Sequence, residues 1–289
     1  ENSPLTEEIY SLLEKGDSVH RGYIYFINLN TRSLVGGISA TERCIRTDFV
    51  NRVIDRLYGN EKTEQIWKPC LRCSSKSLCR IFQAATVFAP DSFPEKAEPQ
   101  VRQRARERLI EALQAVHMRG EIHITARELR ATLVYILFGI HYCDDYHAQV
   151  TPTPEPYWDK AFDISSAGRQ GELLRELARF DPALESHPKI DRFLLSKTHD
   201  ERHIYPPSYS HEGLSLASAR RLAYFEWLPN DILQVAGDND ALTLAKGKYY
   251  ALFRDIVFKN GAEKKEIRNH LCNGIARLEY LPPNASTYK

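Results

Sequence analysis

The sequence has almost no net charge and no long apolar run. Its 289 residues carry 39 Lys and Arg against 38 Asp and Glu, a net charge of +1. No global field therefore draws the molecule to nucleic acid, and any such contact must come from a local patch. No apolar run reaches the roughly 18 residues of a membrane-spanning helix, and the N-terminal stretch lacks the basic and apolar regions of a secretory signal. The composition is that of a soluble globular protein with no membrane partner.

Cysteine and methionine are both scarce. The six cysteines among 289 residues are too few for a disulfide scaffold, which favours a reducing, cytoplasmic compartment. The single methionine is Met118, and the chain begins at Glu1. We therefore expect the chain to be the downstream portion of a longer protein.

Short catalytic motifs are absent as well. The sequence contains no GxxxxGK[ST], GxSxG, HExxH or GxGxxG, and "AKGKYY" does not match the first of these. A zinc hydrolase would need an open site rich in His or carboxylate. "HDERH" at 199–203 is the one candidate, and it lies in a predicted loop. The chain as it stands has no self-sufficient catalytic set.

The periodicity of apolar residues predicts a mainly α fold with minor β. We predict a strand over Gly22–Asn30, a hairpin within 220–245, linkers at 89–99 and 150–156, and helices over 4–15, 41–58, 100–117, 125–140, 169–180, 188–195 and 262–280. The linkers suggest three parts, 1–90, 91–149 and 150–289. The predicted strand has no sequence neighbour to pair with, so we expect its sheet partners to lie outside this chain.

Cys70, Cys73 and Cys79 lie within ten residues, in "PCLRCSSKSLC". A CxxC pair lets two thiolates bind one tetrahedral ion, and Arg72, Lys76 and Arg80 would offset their charge. We predict a structural zinc site on a loop. Its fourth ligand stays open among Cys44, Cys143, Cys272 and the histidines, and an iron–sulfur cluster, redox chemistry or three unligated thiols remain alternatives.

A second pattern is "GEIHITARELRATLVYILFG" at 120–139. Thr125 followed by Glu128 forms a capping box, which predicts a helix that begins at Thr125. Arg127 and Arg130 then lie in its first turns, where cations oppose the helix dipole by up to about 1 kcal/mol each. Either an anion such as phosphate compensates them, or Glu128, Glu121 or Asp144 pairs with them locally. Asp144-Asp145 with His141 and His147 more simply marks a polar helix end than a metal site.

Alternating arginines mark the preceding helix, at 102, 104, 106 and 108. On a helix they spread around the surface and do not form one stripe. With Arg72, Lys76 and Arg80 they would form a patch for nucleic-acid phosphates, whereas the interleaved Glu107 and Glu111 favour a solvated helix.

The order of these segments resembles a known family. "YIYFINLN", "NRVIDRLYG", "WKPCLRCSSKSLC", "HMRGEIHITARELRATLVYILFGIHYCDD" and, further on, "ARRLAYFEW" and "LCNGIARLEYLPP" are similar to the downstream half of P-loop ATPases of bacterial defence and restriction loci. These include the ATPase of phosphorothioation-dependent restriction. The resemblance covers most of the chain.

The resemblance implies the edge of an AAA+-like α/β core within 1–90, a helical lid within 91–149 and a C-terminal α+β region within 150–289. Asn28 or Asn30, with Arg32 beyond it, would match the polar sensor after the core strand. Arg127 or Arg130 would match the second-sensor arginine that contacts the γ-phosphate. ATP and Mg²⁺ would be the ligands. The partners would be other subunits of a defence complex, DNA, and further copies of the chain in an oligomer. The phosphate loop and the magnesium-binding strand are absent here, so we expect them upstream or on another chain.

Overall fold

The computed structural model describes residues 19–21, 24–26, 34, 37–39, 44–59, 64–93, 95–120, 122–148, 154–163, 171–195, 214–247, 250, 256 and 259–278. The predicted helix at 4–15, the sensor residues Asn28, Asn30 and Arg32, and the "HDERH" stretch at 199–203 lie outside these residues. The described part is mainly helical, as predicted. No helix within it combines the length and apolar character needed to cross a membrane.

Two short hairpins precede the helices. β1 (Val19–Arg21) pairs antiparallel with β2 (Ile24–Phe26), with Val19 opposite Phe26, and β3 (Gly37–Ser39) pairs with β4 (Cys44–Arg46). The expectation that the strand at 22–30 lacks a neighbouring partner is therefore wrong. Its partner lies just upstream, in a segment whose polar His20 and Arg21 hid the strand pattern.

The helices of the first part follow. They are α1 (Asp48–Tyr58), α2 (Glu64–Leu71), α3 (Arg80–Phe88), α4 (Pro99–Arg119), α5 (Ala126–Phe138) and α6 (Cys143–His147). The helix predicted over 41–58 begins only at Asp48, because Cys44–Arg46 pairs as a strand. α4 has Pro at its first position and ends at Gly120 with φ 75°, a backbone conformation that glycine adopts at least cost.

The second part continues with short helices. They are α7 (Tyr157–Phe162), α8 (Glu172–Ala178), a 3-10 turn (Pro182–Leu184), α9 (Pro188–Leu195), α10 (Leu216–Glu226), α11 (Pro229–Ala236) and α12 (Gly261–Leu278). The hairpin predicted within 220–245 is wrong, because α10 and α11 occupy that stretch. Ser215 caps α10 through its hydroxyl, and the aromatic run that suggested a strand is buried on every side of the helix.

One hydrophobic core joins these helices. α4 packs against α3, α8 and α10, while α5 packs against α3 and α7. Aromatic rings fill the centre, where Tyr157 meets Phe88 and Phe225 edge-on, with ring centroids 5.1 and 5.3 Å apart. Because this core runs from Val50 to Tyr250, it passes through the predicted boundaries near 90 and 150.

The described parts of the two predicted linkers pack against the core. In the first, Ala89 and Phe93 are buried, and the Ala97 N–H donates to the Thr86 carbonyl at 2.9 Å. In the second, which is described only from residue 154 on, Pro154 and Pro156 are buried. Proline correctly predicted irregular backbone in these described parts.

Candidate functional site

The three clustered cysteines lie on one tight turn. Cys70 is in the last turn of α2 rather than on a loop, and Cys79 directly precedes α3. Backbone hydrogen bonds of 3.2 Å from Cys73 N–H to the Cys70 carbonyl and from Lys76 N–H to the Cys73 carbonyl close the turn. All three thiols are free and half-buried.

Cys79 occupies the N-cap position of α3. Burial raises the pKa of its thiol above the ordinary value, and the backbone N–H groups of Phe82 and Ile81 oppose that rise only in part. The Cys79 sulfur makes no capping hydrogen bond to the helix. Burial also raises the pKa of Cys70, and the neighbouring Cys143, Cys79 and Cys73 raise it further. These four thiols are thus near enough to feel one another's charge, although Cys143 comes from a helix more than sixty residues along the chain.

α6 brings a histidine to the same turn. His147 Nε2 lies 3.5 Å from Cys73 Sγ, and its Nδ1 lies 3.2 Å from Ser75 Oγ. Cys143 precedes His147 by four residues on this helix, so both side chains share a face. At the start of α6, the Tyr142 N–H donates to the Asp145 carboxylate at 2.8 Å, so Asp145 belongs to a polar helix terminus.

Thiolates with an imidazole are the donor set that zinc prefers. Within the described ranges, however, no three His, Cys, Asp or Glu side chains already form a metal-ligand set. Zinc at Cys70, Cys73 and Cys79 therefore stays a prediction. The residues present fit such an ion in donor chemistry.

Positive side chains surround the turn, but not in the way the sequence suggests. Lys76 is paired with Glu95 at 2.9 Å. Arg80 donates to the Pro154 carbonyl at 3.1 Å and to Gln83 at 2.7 Å. The unexpected cation is Lys160 of α7, only 4% exposed, whose Nζ lies beside Gly139, where an added Cβ would come within 3.1 Å. The sequence signal for this buried cation is a lysine inside the largely apolar stretch "YWDKAF".

The Lys160 side chain is buried next to Gly139, at the C-terminal end of α5. Burial lowers the pKa of Lys160 to about 7, partly offset by Glu155 and Cys79.

The arginine pair lies at the start of α5, as predicted. Thr125 Oγ accepts from the Glu128 N–H at 3.2 Å, and the helix begins at Ala126. Arg127 and Arg130 are both exposed, and neither is bonded to a carboxylate in the described ranges. Asn30 and Arg32, the other predicted sensor residues, lie outside those ranges.

Glu128 departs from the predicted capping box. Its Oε1 accepts from the backbone N–H of Leu173 at 3.1 Å, in the first turn of α8. The carboxylate therefore caps a second helix and does not reach back to its own N-cap residue. Of the three local partners considered for the arginine pair, Glu128 is thus engaged elsewhere.

The alternating arginines of α4 are largely structural. Arg102 pairs with Asp91 at 2.5 Å, Arg106 with Asp55 at 2.7 Å and Arg108 with Glu111 at 2.6 Å. Arg102 and Arg108 are buried, so the prediction of a solvated helix is wrong for these two. Because these arginines pair with carboxylates of the same chain, α4 carries no row of exposed, unpaired guanidinium groups.

A buried acidic cluster escaped the sequence reasoning. Arg221 of α10 contacts Asp159 at 3.0 Å, Asp163 at 3.2 Å and Asp181 at 2.7 Å. Nearby in sequence, Glu226 accepts a short hydrogen bond from the Tyr157 hydroxyl, and burial raises the pKa of Glu226 to about 7. Such partners from distant segments carry no short-range spacing signal. The cluster ties α7, α10 and the 3-10 turn together.

Comparisons with protein-family models, with curated proteins and with solved structures gave no significant match.

Proposed function

We propose that the chain is the nucleotide-sensing and transmission part of a cytoplasmic, ATP-dependent switch protein in a bacterial antiviral defence system. ATP and Mg²⁺ would be held by a phosphate loop outside this chain. Arg127 and Arg130 would contact the terminal phosphate and report its loss. The order of the sequence segments and their resemblance to defence ATPases support this assignment.

The single observation that carries the proposal is the state of the arginine pair. Two guanidinium groups at a helix start oppose the dipole, at up to about 1 kcal/mol each. Glu128 is turned to α8, and both arginines are exposed. An anionic ligand would satisfy them together with the free N–H groups of the first turn.

Transmission would run through the packed helices. α5 contacts α7 and α8, and Glu128 links the first turn of α5 to that of α8. A displacement of Arg127 and Arg130 on phosphate loss would therefore reach the part of the chain beyond residue 156. Other subunits of a defence complex, DNA or a second copy of the chain would be the receivers.

The test is ATP turnover by the complete protein with Arg127→Glu, Arg130→Glu or the matched control Arg192→Glu. Arg192 is also an exposed helical arginine. We expect turnover to fall by roughly tenfold or more in the first two variants, because a phosphate-contacting arginine stabilises the transferring phosphoryl group. The Arg192 variant should behave as wild type. Unchanged turnover in the folded Arg130→Glu protein would contradict the proposal.

A second candidate function is a zinc-containing module that binds a partner protein or nucleic acid without catalysis. The gathering of four thiols and His147 at one turn favours it, because a metal clip stabilises a binding surface as readily as a switch. Under this alternative, the wild-type protein and the Arg127 and Arg130 variants would all lack ATP turnover. Binding to DNA would then fall steeply with salt if nucleic acid were the partner.

A further inference from the structure

We propose that Cys143 is the fourth thiolate ligand of a zinc ion held by Cys70, Cys73 and Cys79, so that the metal fastens α6 to the turn between α2 and α3. This inference does not depend on the nucleotide proposal. It assigns the ligand that sequence spacing left open and gives the short helix α6 a role.

The position of α6 against the cysteine turn is the first observation that supports this assignment. His147 Nε2 is 3.5 Å from Cys73 Sγ and Nδ1 is 3.2 Å from Ser75 Oγ. Since Cys143 lies one helical turn before His147, these contacts aim the Cys143 side of α6 at the same turn. The five-residue helix could not hold this position by its own hydrogen bonds alone.

The choice between Cys143 and His147 follows from their partners. Both ring nitrogens of His147 are already placed, one on the Ser75 hydroxyl and one on the Cys73 sulfur. A thiolate only accepts hydrogen bonds, so Nε2–H would donate to Cys73 and Nδ1 would accept from Ser75. Cys143, in contrast, interacts with both Cys70 and Cys79. Four thiolates complete a closed tetrahedral site, which is typical of structural zinc.

The experiment measures metal and thiol accessibility in the full chain purified under reducing conditions. We expect bound zinc at one ion per chain. Cysteine alkylation followed by peptide mass spectrometry should find Cys70, Cys73, Cys79 and Cys143 protected together, and reactive only after a chelator removes the metal. The exposed Cys272 should react throughout. This readout uses the wild-type protein and so does not depend on any variant folding.

Replacement of zinc by Co²⁺ then counts the ligands. The thiolate-to-cobalt absorption should fall by roughly a quarter in Cys143→Ser, whereas His147→Gln and Cys272→Ser should keep the four-thiolate spectrum. Absence of zinc and of Co²⁺ uptake would overturn the proposal. So would bound iron with sulfide, free reactivity of Cys143 in the zinc-loaded chain, or a spectrum changed by His147→Gln but not by Cys143→Ser.

Discussion

The Glu128 carboxylate accepts a hydrogen bond from the backbone N–H of Leu173, with 3.1 Å between Oε1 and N. Glu128 is in the first turn of α5, and Leu173 is in the first turn of α8. One residue thus stabilises the starts of two helices that are distant in sequence. Because its own N–H is bonded to Thr125, its backbone and carboxylate act on different helices.

Because of this hydrogen bond, Glu128→Ala should destabilise the fold. The Leu173 N–H loses its acceptor, and α8 loses a negative charge near its N-terminus, so we expect destabilisation by about 1 kcal/mol. Glu128→Gln keeps an acceptor oxygen and should lose about half as much. Urea unfolding measures both. Arg130→Ala is the neighbouring surface control, with an expected change within about 0.5 kcal/mol; an equal change in all three variants would contradict the assignment.

Replacement of Arg221 should destabilise the fold more than replacement of Glu128. Arg221 neutralises Asp159, Asp163 and Asp181 in a mostly buried cluster, and those partners raise the pKa of its guanidinium against the opposing effect of burial. Arg221→Leu leaves the carboxylates unpaired, so we expect destabilisation by about 3–5 kcal/mol.

The matched control for Arg221 is Arg179→Leu. Arg179 pairs with Glu176 at 3.2 Å but is 50% exposed, and Arg119 also contacts Glu176. The Arg179 variant should therefore cost less than about 1 kcal/mol. Chemical denaturation of both variants decides the matter, and equal losses would show that the acidic cluster does not depend on Arg221.

A side chain at position 139 should clash with the buried Lys160. The φ of Gly139 is 74° and its ψ −154°, a region reserved for glycine, and a Cβ would come within 3.1 Å of Lys160 Nζ. Gly120 has φ 75° with open space around it. We expect Gly120→Ala to cost about 1 kcal/mol and Gly139→Ala about 2–3 kcal/mol. Combining Gly139→Ala with Lys160→Met should recover part of the loss in thermal unfolding; no recovery would mean that backbone strain alone sets it.

Local signals in the sequence predicted much of the fold. Thr125, Pro99 and Gly120 set helix ends through short-range chemistry, and the helices at 188–195 and 261–278 follow the predicted periods closely. α10 was mistaken for a strand because aromatic residues are enriched both in strands and in fully buried helices. Only burial on all sides, which depends on the surrounding helices, distinguishes the two.

In the candidate site, too, the sequence revealed the local features and missed the ones that depend on packing. The Cys70–Cys79 spacing is local and visible in the sequence, whereas Cys143 and His147 reach the turn through the packing of α6. Glu128 showed a capping pattern, yet its carboxylate serves α8. Side chains whose partners come from distant segments are invisible to spacing rules, and this is why Arg221 and its carboxylates were not foreseen.

Glu226 predicts a pH dependence of stability. It is 2% exposed, Tyr157 donates to its Oε1, and its Oε2 has no partner in the described part of the chain. Burial raises the pKa of Glu226 to about 7 from an ordinary value of 4.5. Between these values the folded chain binds more protons than the unfolded chain, so this group makes stability fall as pH rises from about 4.5 to about 7. Above pH 7 its full cost remains.

Glu226→Gln removes that dependence. The free energy of unfolding of the variant, relative to wild type, should rise by on the order of 2–3 kcal/mol between pH 5 and pH 8. Tyr157→Phe removes a hydrogen bond that lowers the pKa of Glu226, so the pH-dependent fall should persist and extend to higher pH. Urea unfolding at a series of pH values measures both curves. A difference between Glu226→Gln and wild type that stays constant from pH 5 to pH 8 would show that Glu226 keeps an ordinary pKa in the folded protein.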